Sequence, residues 1–272
     1  MQNVQLIVID PQLDFCVPQG TFNVDSGALL VNGAYDDMKR LAKWLGKVMP
    51  KIADIHVTLD SHHFIDCAHP AFWKDSKGNN PNPFTQIKSS DIENGIWTPV
   101  LPGLYNRMLA YTRELENSQR YPLFVWPPHC LIGTTGATIV PELSEQLNNW
   151  AKLKTRTVDY VTKGSNPFTE HYSAVKAEVP DPADPSTQIN TDLIQTIEKA
   201  DILIWAGEAG SHCLPNTMRD AFEAFGPDSI KKSVVLTDAT SPVTGFEQNQ
   251  ADFFKEFASK GVQFVKTTDF LV

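Results

Sequence analysis

The chain of 272 residues is poor in cysteine, in basic clusters and in long apolar runs, and each shortage excludes a class of protein. Its four cysteines, Cys16, Cys67, Cys130 and Cys213, lie far apart and form no C-x-x-C pair, so neither a disulfide framework nor a paired-thiolate zinc site is expected. The N-terminus is polar and the first apolar run, residues 4–9, is too short for a secretory signal. No segment approaches the ~20 apolar residues that a membrane helix needs. A reducing, cytoplasmic setting with free thiols is the expectation. The net charge is −9 and no basic cluster exceeds Lys231-Lys232, so a phosphate-backbone partner is not expected, nor a membrane. The expected partner is a small molecule, with a homo-oligomer left open. Internal repeats and low-complexity linkers are also missing, which favours one domain over residues 1–272.

What the chain does have is alternation. Short β-branched runs at 4–9, 55–59, 157–162, 202–206, 233–236 and 262–265 read as strands. Between them apolar residues recur at helical spacing: Met38, Leu41, Ala42, Leu45 and Val48; then Leu143, Leu147, Trp150 and Ala151; then Leu193, Ile194 and Ile197; then Met218, Ala221, Phe222 and Phe225. Helix-linked parallel strands imply right-handed crossovers, and hence an α/β fold: a Rossmann-like three-layer α/β/α sandwich around a mainly parallel six-stranded sheet. Residues 64–125 break the rhythm. They are rich in Pro, Asn, Gly and Ser, carry one plausible helix at 104–115, and are expected to form an insertion packed on the main domain. Residues 178–190, with Pro180, Pro182 and Pro185, read as a second irregular loop.

Chemistry-bearing residues gather at strand ends. Asp10 follows the first run, Asp60 the second and Lys163 the third, and Cys213 lies one short turn past the fourth. Ligands of open parallel sheets bind outside these carboxyl ends. A thiol at a strand-to-helix turn sits at the partly positive helix end, which favours thiolate and brings a pKa of about 8.5 down to roughly 3.5–7.5. The ordinary alternative is a small buried hydrophobe. Taken together the four suggest acyl transfer through a thiol: Asp10 shuttling the proton, Lys163 supplying positive charge, and the turn Glu208-Ala209-Gly210 aiming N–H groups at an oxyanion. A second group is metal-like. Asp60 and His62 lie two apart on an extended segment and so point the same way, and His129 offers a third ligand from a distant loop. Two imidazoles and a carboxylate suit zinc or another first-row divalent metal. His63 and His69 compete for the role, and Cys130 ranks below His129. Phe15 and Trp126 lie nearest these motifs and suit a flat substrate, or ordinary core packing.

These segments resemble the nicotinamidase-related members of the isochorismatase-like cysteine hydrolases. The likeness rests on Val8 to Cys16, Thr58 to His62, Trp126 to Cys130, Lys163-Gly164-Ser165 with His171 to Ala174, and Gly207 to Cys213, in the family's order and over most of the chain. The resemblance implies a catalytic triad of Asp10, Lys163 and Cys213, and a metal, usually zinc, held by Asp60, His62 and His129. It further implies a cis Glu208–Ala209 bond, an oxyanion hole from the N–H groups of Ala209 and Cys213, and a ring-binding pocket of Phe15, Trp126 and Tyr172. The implied activity is release of ammonia from nicotinamide or a close heteroaromatic amide through a thioester. A cysteine hydrolase of the same superfamily acting on another small amide, carbamoyl or ureido compound is the alternative, and a non-catalytic small-molecule-binding protein that keeps the fold is the third reading. Ser211 stands where the family often has aspartate, and Glu208 where it has an apolar residue.

Overall fold

Backbone pairing joins the β-branched runs into one sheet. In the computed structural model, which describes residues 2–118, 120–225 and 230–271, six strands lie side by side. They are β1 (Val4–Ile9), β2 (Asp54–Asp60), β3 (Asp159–Lys163), β4 (Ile202–Gly207), β5 (Ser233–Leu236) and β6 (Gln263–Val265). Their order is β6-β5-β4-β1-β2-β3 and every pair is parallel. β1 and β4 are apolar because both sheet faces are covered: Leu6, Val8, Ile9, Leu203, Ile204 and Ala206 have no exposed surface. The third run is displaced to Asp159–Lys163, because the register with β2 sets Lys163 beside Asp60 at the strand ends.

The main helices are α1 (Ala34–Val48), α2 (Tyr105–Ser118), α3 (Pro141–Lys154), α4 (Thr191–Glu198), α5 (Cys213–Phe225) and α6 (Glu247–Ser259). With right-handed crossovers, strand order puts α1 and α3 on one face and α4, α5 and α6 on the other. α1 packs on α3, and α5 meets α6 through Phe222 against Phe257 and the Arg219–Glu256 ion pair of 2.7 Å. No helix among the described residues is long and apolar enough to cross a membrane.

Residues 64–125 contain α2, a short helix Ser89–Glu93 and two-residue strands. Trp73–Lys74 pairs with Thr98–Pro99, and Gln86–Ile87 with Leu123–Phe124. Phe72, Trp73, Ile92, Met108 and Leu115 gather there in a hydrophobic cluster of their own.

Sheet order reverses between β1 and β4. Consecutive strands run outward on one side of that junction and outward on the other, which opens a crevice at their carboxyl ends. Asp10 leaves β1 at that point, and Gly207 ends β4 beside it. Gly207 has φ 105°, and a Cβ there would stand 2.1 Å from the Ile9 carbonyl oxygen. Only glycine lets the two chain segments close to this distance.

Candidate active site

Asp10 is held before it meets any partner of opposite charge. Its backbone is left-handed, φ 42°. Its N–H donates to the Thr58 carbonyl (3.2 Å) and to Thr58 Oγ1 (3.0 Å), and the Thr58 hydroxyl donates back to Asp10 Oδ1 at 2.5 Å. Lys163, the last residue of β3, reaches past the end of β2 towards β1. Its Nζ lies 2.9 Å from Asp10 Oδ2, 3.0 Å from Asp60 Oδ1 and 3.7 Å from Cys213 Sγ. All four groups are buried. The strand-end residues singled out in the sequence therefore meet around one ammonium.

Burial sets the protonation of this cluster. It opposes the charge on Lys163, but Asp10 and Asp60 outweigh it and hold the ammonium well above the usual lysine range. Burial raises the Asp10 carboxyl, with Lys163 pulling the other way. Asp60 is held well below the carboxylate range, because His62 and Lys163 overcome its desolvation. Cys213 opens α5, as expected, yet its thiol lies well above the ordinary value. Desolvation and the negative charges of Asp10 and Asp60 overcome Lys163. Burial and the two carboxylates thus work against the thiolate that the helix terminus is expected to favour.

The Glu208–Ala209 bond is cis. Gly210 N–H donates to the Ser241 carbonyl, and His212 N–H to the Ala209 carbonyl. Among the described residues, neither Ala209 N–H nor Cys213 N–H is engaged by an acceptor. Glu208 is fully buried, its carboxyl raised far above the ordinary value by desolvation and by Asp37, and its Oε2 accepts from Ser241 N–H at 3.0 Å. It braces the turn from behind.

Beside the triad, Asp60, His62 and His129 bring one ligand atom each within 4.8 Å of one another. His62 Nε2 and His129 Nε2 lie 3.2 and 3.5 Å from Asp60 Oδ2. The far nitrogens are tied back: His129 Nδ1 to the Pro127 carbonyl (2.8 Å) and His62 Nδ1 to Asp66 Oδ2 (3.0 Å). Those bonds turn both Nε2 atoms toward the carboxylate, where His62 Nε2 has no hydrogen-bond partner among the described residues, an arrangement that fits a divalent cation. Burial disfavours the charge on His62, but Asp60 and Asp66 outweigh this and raise it well above the histidine range. Gly164, at φ 81°, admits the cluster: a Cβ there would lie 2.8 Å from Asp60 Oδ1 and 3.2 Å from His62 Cε1. Cys130 is buried and lies outside the cluster found among the described residues.

Several participants went unrecognised in the sequence. His69, treated there as a competitor, is buried with its ring 5.2 Å from that of His62 and 5.4 Å from that of His129, and burial lowers it to about 3. Gln12 bridges the ends of β1 and β2: its amide donates to the Asp60 carbonyl (2.7 Å) and accepts from Asp60 N–H (2.8 Å). Glu170 is buried, and its Oε2 has no partner among the described residues. Only its place beside Tyr172 hinted at a role for it. Thr58 and Asp66 gave no signal beyond lying in or near the quoted motifs.

A narrow cavity adjoins these groups, lined by Phe15, Trp126, His129, Tyr172, His212 and Cys213 among others. Trp126 Nε1 donates to Tyr172 Oη at 3.0 Å, which fixes both rings. All three residues expected to contact a ring therefore face the same cavity as the thiol.

No protein-family model matches the chain. A curated nicotinamidase of Saccharomyces cerevisiae is 24% identical over 241 residues, 88% of each chain. The structure of the yeast nicotinamidase bound to the inhibitor nicotinaldehyde superposes with a TM-score of 0.63 at 19% identity, covering 97% of this chain and 99% of that one. The pyrazinamidase of Pyrococcus horikoshii in complex with zinc superposes at 0.57, also at 19% identity and with coverage of 97% and 99%. The chain is thus similar to nicotinamidases along nearly its whole length, and it shares their isochorismatase-like α/β fold.

Proposed function

We propose that the protein is a thiol amidohydrolase that releases ammonia from nicotinamide or a close heteroaromatic amide. The observation that carries this reading is the meeting of Asp10, Lys163 and Cys213 around one buried ammonium, with Cys213 lining an aromatic cavity. The nicotinamidase relative and the fold support the same class of reaction.

In this reading Asp10 takes the thiol proton as Cys213 Sγ bonds to the amide carbonyl carbon. The carbonyl oxygen becomes an oxyanion facing the N–H groups of Ala209 and Cys213. Each such donor is worth about 2.7–4 kcal/mol of barrier. Asp10 then returns the proton to the leaving nitrogen, the C–N bond breaks, and ammonia departs from a thioester. Water attacks the thioester, again giving a proton to Asp10, and the carbon–sulfur bond breaks to release the acid. The proton returns to sulfur. Lys163 stays charged throughout and offsets the negative charge that passes between sulfur and Asp10.

Asp60, His62 and His129 would hold a divalent metal, with zinc favoured by the nitrogen and oxygen donors. When bound it supplies a Lewis-acid anchor for a ring nitrogen. Phe15, Trp126 and Tyr172 hold the flat ring. The test is ammonia release from nicotinamide by zinc-loaded protein, with Cys213→Ala as control. Release that disappears in the variant is the expected result. Undiminished release from Cys213→Ala would refute the thiol mechanism, and no release from the folded wild type would refute the substrate.

A further inference from the structure

His212 precedes the nucleophile, lines the cavity and has taken no part so far. It is buried within a ring of aromatic groups, with Tyr121 stacked on it at 5.2 Å and Trp126, Tyr172 and Phe246 at 5.4, 5.5 and 4.7 Å. Its Nδ1 lies 2.8 Å from Ser211 Oγ. Its Nε2 is buried and has no partner among the described residues.

The serine decides which nitrogen carries the proton. Ser211 Oγ is buried and accepts from Val243 N–H at 3.0 Å. Its own hydroxyl hydrogen then needs an acceptor, and among the described residues His212 Nδ1 is its only other partner. If Nδ1 carried hydrogen, the serine proton and the Nε2 lone pair would both be buried without partners. With Nδ1 as acceptor, only Nε2–H is left over, on a ring that lines the cavity. Burial lowers this imidazole to about 4, so it is neutral at working pH.

We propose that Ser211 and His212 form a tautomer-fixed specificity pair: Ser211 holds the imidazole in its Nε2–H form, and that N–H selects planar amides that present a hydrogen-bond acceptor to it over analogues presenting a donor. Ser211 is the positioning residue and His212 the one that meets the ligand. An aspartate at position 211 would accept from Nδ1–H, turn Nε2 into an acceptor and reverse the selection. The choice of ligand rests on the amidase reading; the tautomer does not.

Two measurements separate them. Nitrogen NMR of histidine-labelled wild type, with His212→Phe to assign the signal, is expected to show a neutral Nε2–H imidazole. An Nδ1–H form or an imidazolium at neutral pH would overturn the proposal. Calorimetry on zinc-loaded Cys213→Ala then compares nicotinamide with analogues in which a ring C–H is replaced by aza nitrogen or bears an amino group. At one ring position the aza ligand is expected to bind about tenfold or more tighter than the amino ligand. Adding Ser211→Asp should reverse that order, and Ser211→Thr should keep it. If Ser211→Asp does not fold, loss of the preference in His212→Phe serves instead. A preference that survives His212→Phe overturns the ligand role. Failure to bind any of these ligands overturns the amidase reading and the ligand role together, with the tautomer still decided by NMR.

Discussion

Replacing Lys163 with methionine keeps most of the aliphatic stem and removes the one charge shared by Asp10 and Asp60. At contacts of 2.9 and 3.0 Å each carboxylate gains about 6 kcal/mol of attraction at an effective dielectric constant of about 20. Desolvation of the three ions cancels much of this, and removing one partner of a buried pair costs a net of about 3–5 kcal/mol. The loss should depend on pH. In the variant Asp10 keeps a proton in the fold, whereas in the unfolded chain it ionises near pH 3.9. The folded state then binds one proton more, so stability falls by about 1.4 kcal/mol per pH unit above about pH 4. Burial already raises Asp10 in the wild type, so the wild type shows the same trend, but shallower because Lys163 opposes it. Urea unfolding at several pH values, in excess chelator, reads the difference. The gap should be small near pH 4 and widest above neutrality, and ammonia release should fall by about 10²–10⁴-fold. A variant within 1 kcal/mol of wild type, with a parallel pH profile, would refute the assignment of Lys163 as the compensating charge.

Asp66→Ala frees His62 Nδ1 and should weaken zinc binding about 10–100-fold in a competitive chelator titration, with the fold retained. Glu178 is raised to about 7 by burial, with Arg120 opposing and Asp220 assisting. The fold thus keeps a proton that the unfolded chain loses near pH 4.5, and stability drops as pH climbs from there to about 7, by on the order of 3 kcal/mol. In Glu178→Gln that drop should vanish, so its melting temperature gains on wild type between pH 5 and 8; a constant offset would contradict this. Gly207→Ala drives a methyl into the Ile9 carbonyl and should cost several kcal/mol in denaturant unfolding, whereas the same change at an ordinary strand glycine stabilises by about 0.5–1 kcal/mol.

Much of the scaffold was legible because periodicity reports burial. β1 and β5 fall at their expected residues, and the other strands lie within one or two positions of theirs. The apolar repeat in 247–259 drew no notice, since only Phe253 and Phe257 of α6 are buried there. Asp10, Asp60, Lys163 and Cys213 were legible because strand ends in a parallel sheet share one edge. What escaped was whatever depends on distance alone. Asp66 and Gln12 make contacts that no spacing rule encodes. What works against the thiolate escaped for the same reason, because a helix terminus can be read from sequence and two buried carboxylates nearby cannot.

The amide of Gln12 fills the role of a missing peptide unit, giving Asp60 the pair of hydrogen bonds a neighbouring strand would give. The segment leaving β1 with Asp10 is thereby stitched to the segment that carries the Asp60 carboxylate. If Asp60, His62 and His129 hold a cation as proposed, the interval between it and the Cys213 sulfur is a property of the sheet and not of mobile side chains. On that reading the site would measure its ligand like a fixed gauge: rings of altered outline would fit, but not molecules whose amide and anchoring atom stand farther apart.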